Sequence, residues 1–214
     1  VVVVVNRVAS AGVIARQLTE RLGGAAVVTL LTGRMRPLDR DDVLRELGLS
    51  IRTGRERRDD APKRVVVGTQ CIEAGADFDF DAIVTESASL DSLRQRFGRV
   101  DRLGSYGKAE GVIVHDQSEK DDPVYGKSVT ETVKWLKGKR TKKRASVAFG
   151  VLALGLPEAD ELKKLLAPKP DAPTLLPAYL DLWSQTSPAP SQTPDVSLWL
   201  HGPASGPADV QVVW

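Results

Sequence analysis

Arg64-Val65-Val66-Val67-Gly68-Thr69-Gln70-Cys71-Ile72-Glu73-Ala74-Gly75-Ala76-Asp77 is the stretch that decides the fold. Its short apolar run is a strand that breaks at Gly68 into a polar turn, and Gly75 and Asp77 close a second, tighter turn. The chain opens in the same way. Val1 to Val5 are five successive β-branched residues, a pattern that belongs to a strand buried on both faces of a parallel sheet. Ala26 to Leu31, Asp81 to Thr85 and Glu110 to His115 supply three more strands. Between them lie helical periods, with Val13, Ile14, Leu18 and Leu22 within Ser10–Leu22 and Leu38, Val43, Leu44 and Leu47 within Pro37–Leu47. Gly23-Gly24 stops the first helix, and Asp39, Asp41 and Asp42 favour the amino end of the second. Strands alternating with helices predict a parallel α/β sheet flanked by helices.

A second stretch carries chemistry: Ser92-Leu93-Arg94-Gln95-Arg96-Phe97-Gly98-Arg99-Val100-Asp101-Arg102. Ser89 is placed to cap a helix that begins there. Gln95, Arg99 and Arg102 are spaced four and three apart, so a continuous helix would put them on one face. Gly98 leaves room for a close backbone approach. A neutral amide beside two planar guanidinium groups suits phosphate oxygens, which the arginine fork binds through two parallel N–H bonds. On spacing alone, a solvated basic helix fits the same residues.

The two stretches together resemble the paired motifs V and VI of superfamily 2 helicases. Thr69, Gly75 and Asp77 stand at the spacing of the first motif. Gln95 to Arg102 matches the second, Gln-Arg-any-Gly-Arg-any-any-Arg, at every fixed position. The opening Thr69 to Glu73 and the acidic series Asp77, Asp79 and Asp81 resemble one branch, the CRISPR-associated helicase-nucleases of type I systems. Segments 175–183 and 209–214 are loosely similar to the end of one of its subgroups.

That resemblance implies a RecA-like sheet and assigns roles. Arg99 and Arg102 would reach the γ-phosphate of ATP, with Gln95 near the attacking water. Asp77 would contact the ribose, and Gly75, Arg96 and Gly98 would complete the nucleotide side. Thr69, Gln70, Arg34 and Asn6 would face the phosphates of a nucleic-acid strand. Thr32-Gly33-Arg34 departs from the His-Ser-Arg common in the branch. The implied ligands are ATP and Mg²⁺, held mainly by a first RecA-like domain that this sequence lacks. The implied partners are single-stranded DNA, that first domain, a His-Asp nuclease domain and a CRISPR RNA-guided surveillance complex. A different superfamily 2 motor, acting on RNA or in restriction, and a nucleic-acid-binding module without catalysis remain the alternatives.

Composition narrows the field. With 214 residues, 42% of them hydrophobic and 27% charged, the chain has room for one core and an appendage. A formal net charge of +2 means that nucleic-acid binding must come from local basic patches. One such patch is Lys134 to Arg144, where Trp135 could offer a stacking face. The single cysteine, Cys71, excludes an intrachain disulfide, fits a reducing cytoplasm and reads as a small buried filler. No apolar run is long enough for a membrane helix. No phosphate-binding Gly-any₄-Gly-Lys-Ser/Thr loop and no Asp-Glu box occurs, and His115 and His201 are too far apart for a metal centre.

The expected organisation is a second RecA-like domain over residues 1–117, a linker helix and basic segment over 118–145, and a truncated accessory region over 146–214. A valine run that belongs in a sheet centre, met at the very start, reads as the interior of a longer protein. Short helices are expected over Val124–Leu136, Ser146–Leu156 and Glu158–Leu166, with extended proline-rich linkers after them and a last strand over Asp209–Val213.

Overall fold

The structure is a computed structural model that describes residues 1–56, 60–73, 77–105, 107, 109–118, 121–140, 146–169, 171–186, 196, 198–199 and 202. Residues Val1–Ala167 form one compact unit and Pro168–Trp214 a second. The first unit therefore extends well past Gln117, where the composition of the sequence changes.

Five parallel strands form its sheet: β1 (Val2–Val4), β2 (Val27–Leu31), β3 (Arg64–Gly68), β4 (Ala82–Glu86) and β5 (Glu110–Val114), in the order β2-β3-β1-β4-β5. The opening valines are the centre strand. Val2, Val3 and Val4 pair with Val66, Val67 and Gly68 on one side and with Ile83, Val84 and Thr85 on the other. Their side chains alternate between two apolar layers, as the pleat requires. Val2 and Val4 join Leu31, Val66, Ile83, Leu47 and Ile51 in one layer. Val3 and Val5 join Val67, Ala11 and Ala15 in the other. Full burial of each such valine contributes roughly 1.5–3 kcal/mol.

The helices follow from the direction of travel. From β1 to β2 the chain moves one way along the sheet, and α1 (Val8–Leu22) covers the layer that holds Val3 and Val5. Every later step runs the other way, so a constant handedness puts those connections on the opposite face. There lie α2 (Pro37–Ile51), the short 3₁₀ turn Gln70–Ile72, Phe78, Phe80 and the end of α3 (Leu90–Phe97). α2 runs beyond the predicted Leu47 because buried Ile51 is one turn further along the same inward stripe.

Beyond β5, α4 (Ser128–Gly138), α5 (Val151–Leu154) and α6 (Ala159–Leu165) build a smaller apolar cluster. It holds Leu90, Leu93, Tyr125, Val129, Leu136, Leu154 and Leu165. Two predicted helices prove shorter. α4 starts at Ser128 because Asp122 caps the turn before it, accepting the amides of Val124 (2.7 Å) and Tyr125 (2.9 Å). Ser146–Leu156 is helical only over α5, where Gly155 at φ 70° ends the turn. In the second unit α7 (Pro177–Trp183) carries Tyr179 and Trp183, whose ring centroids lie 5.8 Å apart and 5.3 and 5.1 Å from that of Trp199. The predicted strand Asp209–Val213 and His201 lie outside the described residues. Among the described residues no helix is long and apolar enough to cross a membrane.

Candidate nucleotide and nucleic-acid edge

In a doubly wound sheet, ligand crevices form at the carboxyl edge where connections leave to opposite faces. Here that point is the end of β1, flanked by β3 and β4, and it is filled by side chains. The Asn6 backbone amide donates to Glu86 Oε2 (2.6 Å), and its Nδ2 donates to the Ser87 carbonyl (2.9 Å) and to Asp122 Oδ2 (3.2 Å). Gln70 Nε2 donates to the Asn6 carbonyl (3.0 Å). Asn6 and Thr69 are both buried. The Asn6 side chain is thus occupied internally instead of offered to a strand phosphate, and the Thr69 hydroxyl contacts Cys71 Sγ (3.8 Å). Cys71 is half-buried and its thiol donates to the Leu31 carbonyl (3.3 Å).

Arg96 corrects the sequence expectation most sharply. Expected at the nucleotide, it is fully buried instead. Its Nε donates to Glu73 Oε1 (2.8 Å). Nη1 reaches Thr85 Oγ1 (2.9 Å) and the Glu86 carbonyl (3.1 Å), while Nη2 reaches Asn6 Oδ1 (3.0 Å) and the Tyr125 hydroxyl (2.9 Å). A guanidinium carries five N–H donors, and each of these five bonds accounts for one. Arg96 can be charged and buried because Glu73 neutralises it and the other acceptors replace its water. The physical reason for the difference is periodicity. In α3, Arg96 lies on the same face as Leu93 and Ser92, which are also buried.

Arg99 and Arg102 do not share a helical face with Gln95. α3 ends at Phe97 with Gly98 as its cap, and the next residues straighten to pair with the segment before β4. Phe80 donates its amide to the Arg99 carbonyl (2.7 Å) and accepts from the Asp101 amide (3.0 Å). Asp101 sits at φ 44°, a left-handed conformation that turns the chain there. The two arginines are brought together by this turn. Arg102 donates its amide to Asp79 Oδ1 (3.0 Å) and its Nη1 to Asp77 Oδ1 (3.2 Å). Arg99 Nη2 donates to the Glu73 carbonyl (2.6 Å), while its Nε is buried without a hydrogen-bond partner. Burial lowers the Arg99 pKa, and the positive charge of Arg102 lowers it further against the opposing effect of Asp77. Two guanidinium groups close enough to repel each other, one of them incompletely bonded, form a place that an anion would complete.

Gln95 and Gly98 are exposed at the end of α3, and Asp77 is exposed where it meets Arg102. Arg34 is exposed after β2 and Gln70 is half-buried after β3. Gly75 lies outside the described residues. The remaining acidic positions are structural: Arg55 is held by Asp79 (3.3 Å) and Asp81 (2.8 Å). His115 Nδ1 is 3.0 Å from Ser87 Oγ. Among the described residues no group of three or more His, Cys, Asp or Glu is placed to hold a metal ion. Lys139 Nζ stands 5.1 Å above the Trp135 ring, which packs against the α4–α6 cluster, so this tryptophan is not an open stacking platform. Residues 141–145 of the basic segment lie outside the described residues.

Residues 1–105 match the family described as the CRISPR-associated nuclease/helicase Cas3, C-terminal. This part of the chain is similar to that family. A CRISPR-associated helicase Cas3 of Thermoproteus tenax is 37% identical over 123 residues, which are 57% of this chain and 19% of the relative. A CRISPR-associated nuclease/helicase Cas3 of Streptococcus thermophilus is 31% identical over 104 residues, 47% of this chain and 10% of the relative. The chain spans about a fifth or less of the length of these relatives. The crystal structure of T. fusca Cas3 with AMPPNP covers 64% of this chain and 18% of its own, at TM-score 0.53 and 21% identity. A crystal structure of a CRISPR-associated protein covers 87% of this chain and 21% of its own, at TM-score 0.53 and 22% identity. These two likenesses establish the RecA-like fold.

Glu73, Asp122 and Tyr125 take their places here through partners far away in sequence. The helical period could have flagged Arg96, since it places that residue inward with Leu93. Nothing local marks Tyr125, whose partners are brought to it by the sheet.

Proposed function

We propose that this chain is the second motor half of an ATP-driven single-stranded DNA translocase acting in CRISPR interference in the cytoplasm. The observation that supports it most is the pair Arg99 and Arg102, with Arg102 resting on exposed Asp77, on a Cas3-like domain. ATP would bind between this domain and a first RecA-like domain that supplies Mg²⁺ and the cradle for the β- and γ-phosphates. On closure Arg102 exchanges Asp77 for the γ-phosphoryl oxygens, leaving the carboxylate to the ribose. Arg99 approaches the same group, and Gln95 orients the attacking water. Both guanidinium groups then oppose charge that grows in the transition state, the use of positive charge that raises turnover most. Arg34 and Gln70 lie on the same carboxyl edge and would follow the phosphates of the DNA strand. Recruitment by an RNA-guided surveillance complex and a nuclease domain in the same protein belong to this proposal.

The test is ATP hydrolysis by the full-length protein with and without single-stranded DNA, alongside Arg102→Ala. DNA-stimulated turnover that falls on the order of 10²-fold in the variant, with little change in ATP affinity, supports the motor function. No stimulated turnover in the unmodified protein leaves a binding module instead.

A further inference from the structure

Tyr125 lies on the turn between β5 and α4, outside both helicase-like stretches, yet it is buried against Arg96. We propose that Tyr125 is a positioning residue that holds the phosphate-reaching Arg99 in place through Arg96 and Glu73. The assignment rests on the motor function proposed above.

The connection is short and continuous. The Tyr125 hydroxyl accepts from Arg96 Nη2 (2.9 Å) and donates toward Glu73 Oε1 (3.5 Å). Arg96 Nε donates to that same oxygen (2.8 Å), and Ser92 Oγ donates to Glu73 Oε2 (3.2 Å). The Glu73 side chain is therefore fixed at both oxygens. Its own backbone carbonyl receives Arg99 Nη2 (2.6 Å). Loss of the tyrosine hydroxyl leaves one Arg96 N–H without an acceptor in a site that water does not reach. The guanidinium and Glu73 must then shift together, carrying the carbonyl that seats Arg99. Burial raises the Tyr125 pKa, so the phenol keeps its proton and its donor role at neutral pH.

The tyrosine is itself held. Asp122 Oδ1 accepts the Val124 and Tyr125 amides, Oδ2 accepts from Asn6 Nδ2, and the Gly126 amide returns to the Asp122 carbonyl (2.7 Å). The turn is thereby tied to the end of β1, which makes Asp122 the second member of the device.

The experiment is Tyr125→Phe in the full-length protein, which keeps the ring and removes only the hydroxyl. DNA-stimulated kcat for ATP should fall on the order of 10-fold, as for misplacement of a reacting group, while KM for ATP changes less than about twofold. Arg99→Lys should hide the effect: if Tyr125 acts through Arg99, the double variant is no slower than Arg99→Lys alone. Losses that multiply place the tyrosine outside this route and overturn the proposal. An unchanged kcat in Tyr125→Phe, with stimulated turnover present in the unmodified protein, overturns the positioning role and leaves the motor function standing. Absence of stimulated turnover in the unmodified protein overturns both. If Tyr125→Phe does not fold, Asp122→Asn serves, with a smaller loss of kcat expected at unchanged KM and equal kcat to the unmodified protein overturning the role.

Discussion

Arg96 and Arg102 stand on one short stretch of chain and have opposite surroundings. Arg96 is sealed in the sheet's carboxyl edge, with a bond for every N–H. The Arg102 side chain is 41% exposed and rests against Asp77, itself 60% exposed. The comparison teaches that a guanidinium group available for chemistry is one whose present partner is cheap to leave. Exposed ion pairs are worth about 0–1 kcal/mol, whereas breaking a buried one costs several times more.

The widest gap should appear in stability. Arg96→Met leaves the Glu73 carboxylate buried without its partner and should destabilise this chain by about 3–5 kcal/mol in urea unfolding. Arg96→Met combined with Glu73→Leu should recover part of that loss, because no charge is then left buried alone, although Thr85, Asn6 and Tyr125 lose a hydrogen-bond partner. If Arg96→Met unfolds at the same urea concentration as the unmodified chain, the distinction between the two arginines fails.

Arg102 should show the reverse pattern. Arg102→Ala should move the urea midpoint of this chain very little, yet slow DNA-stimulated ATP hydrolysis by the full-length protein on the order of 10²-fold. Arg102→Lys should restore little of it, since an ammonium lacks the planar fork. Full activity in Arg102→Lys would reduce the requirement to charge alone.

A smaller effect is expected at Arg34, which is exposed just after β2. Arg34→Gln should weaken single-stranded DNA binding and reduce its slope against salt by about 0.7, one phosphate contact. An unaltered slope in a salt titration would remove Arg34 from the strand path.

The smallest effect concerns pH. Tyr125 has a pKa raised above 10.0 by burial, and a folded pKa above the unfolded one costs stability only as pH rises. Below the unfolded value both states are protonated and the contribution is intact. As pH climbs from there through the folded value it is lost. Tyr125→Phe should therefore show a flatter decline of urea midpoint above about pH 10 than the unmodified chain. Parallel declines would mean that other groups govern the alkaline limit.

The sheet was legible because its signal is local. Five apolar runs state their own strand identity, and the β-branched run at Val1 to Val5 is the pattern of a strand covered on both faces. The pairing of Thr69–Asp77 with Gln95–Arg102 was equally visible. What could not be read was how α3 ends. Continuing the helix through Gly98 places Arg99 and Arg102 beside Gln95, and only the pairing of Phe80 with residues 99–101 breaks that continuation. Arg96 was misassigned because its motif position carries charge, while its helical phase, shared with Leu93, points inward. Tyr125 was invisible for a plainer reason: its role depends on side chains delivered by four separate segments.

The position of β1 has a bearing on how the molecule assembles. It is the central strand, yet its partners are Val66–Gly68 and Ile83–Thr85, so more than sixty residues separate it from either neighbour. During synthesis the valine run leaves the ribosome well before either of the strands that pair with it. Such non-local pairing slows folding, and an uncharged β-branched segment left waiting is prone to associate with copies of itself. Charged residues flanking that segment, or a chaperone bound to it during translation, would protect yield without touching the finished sheet.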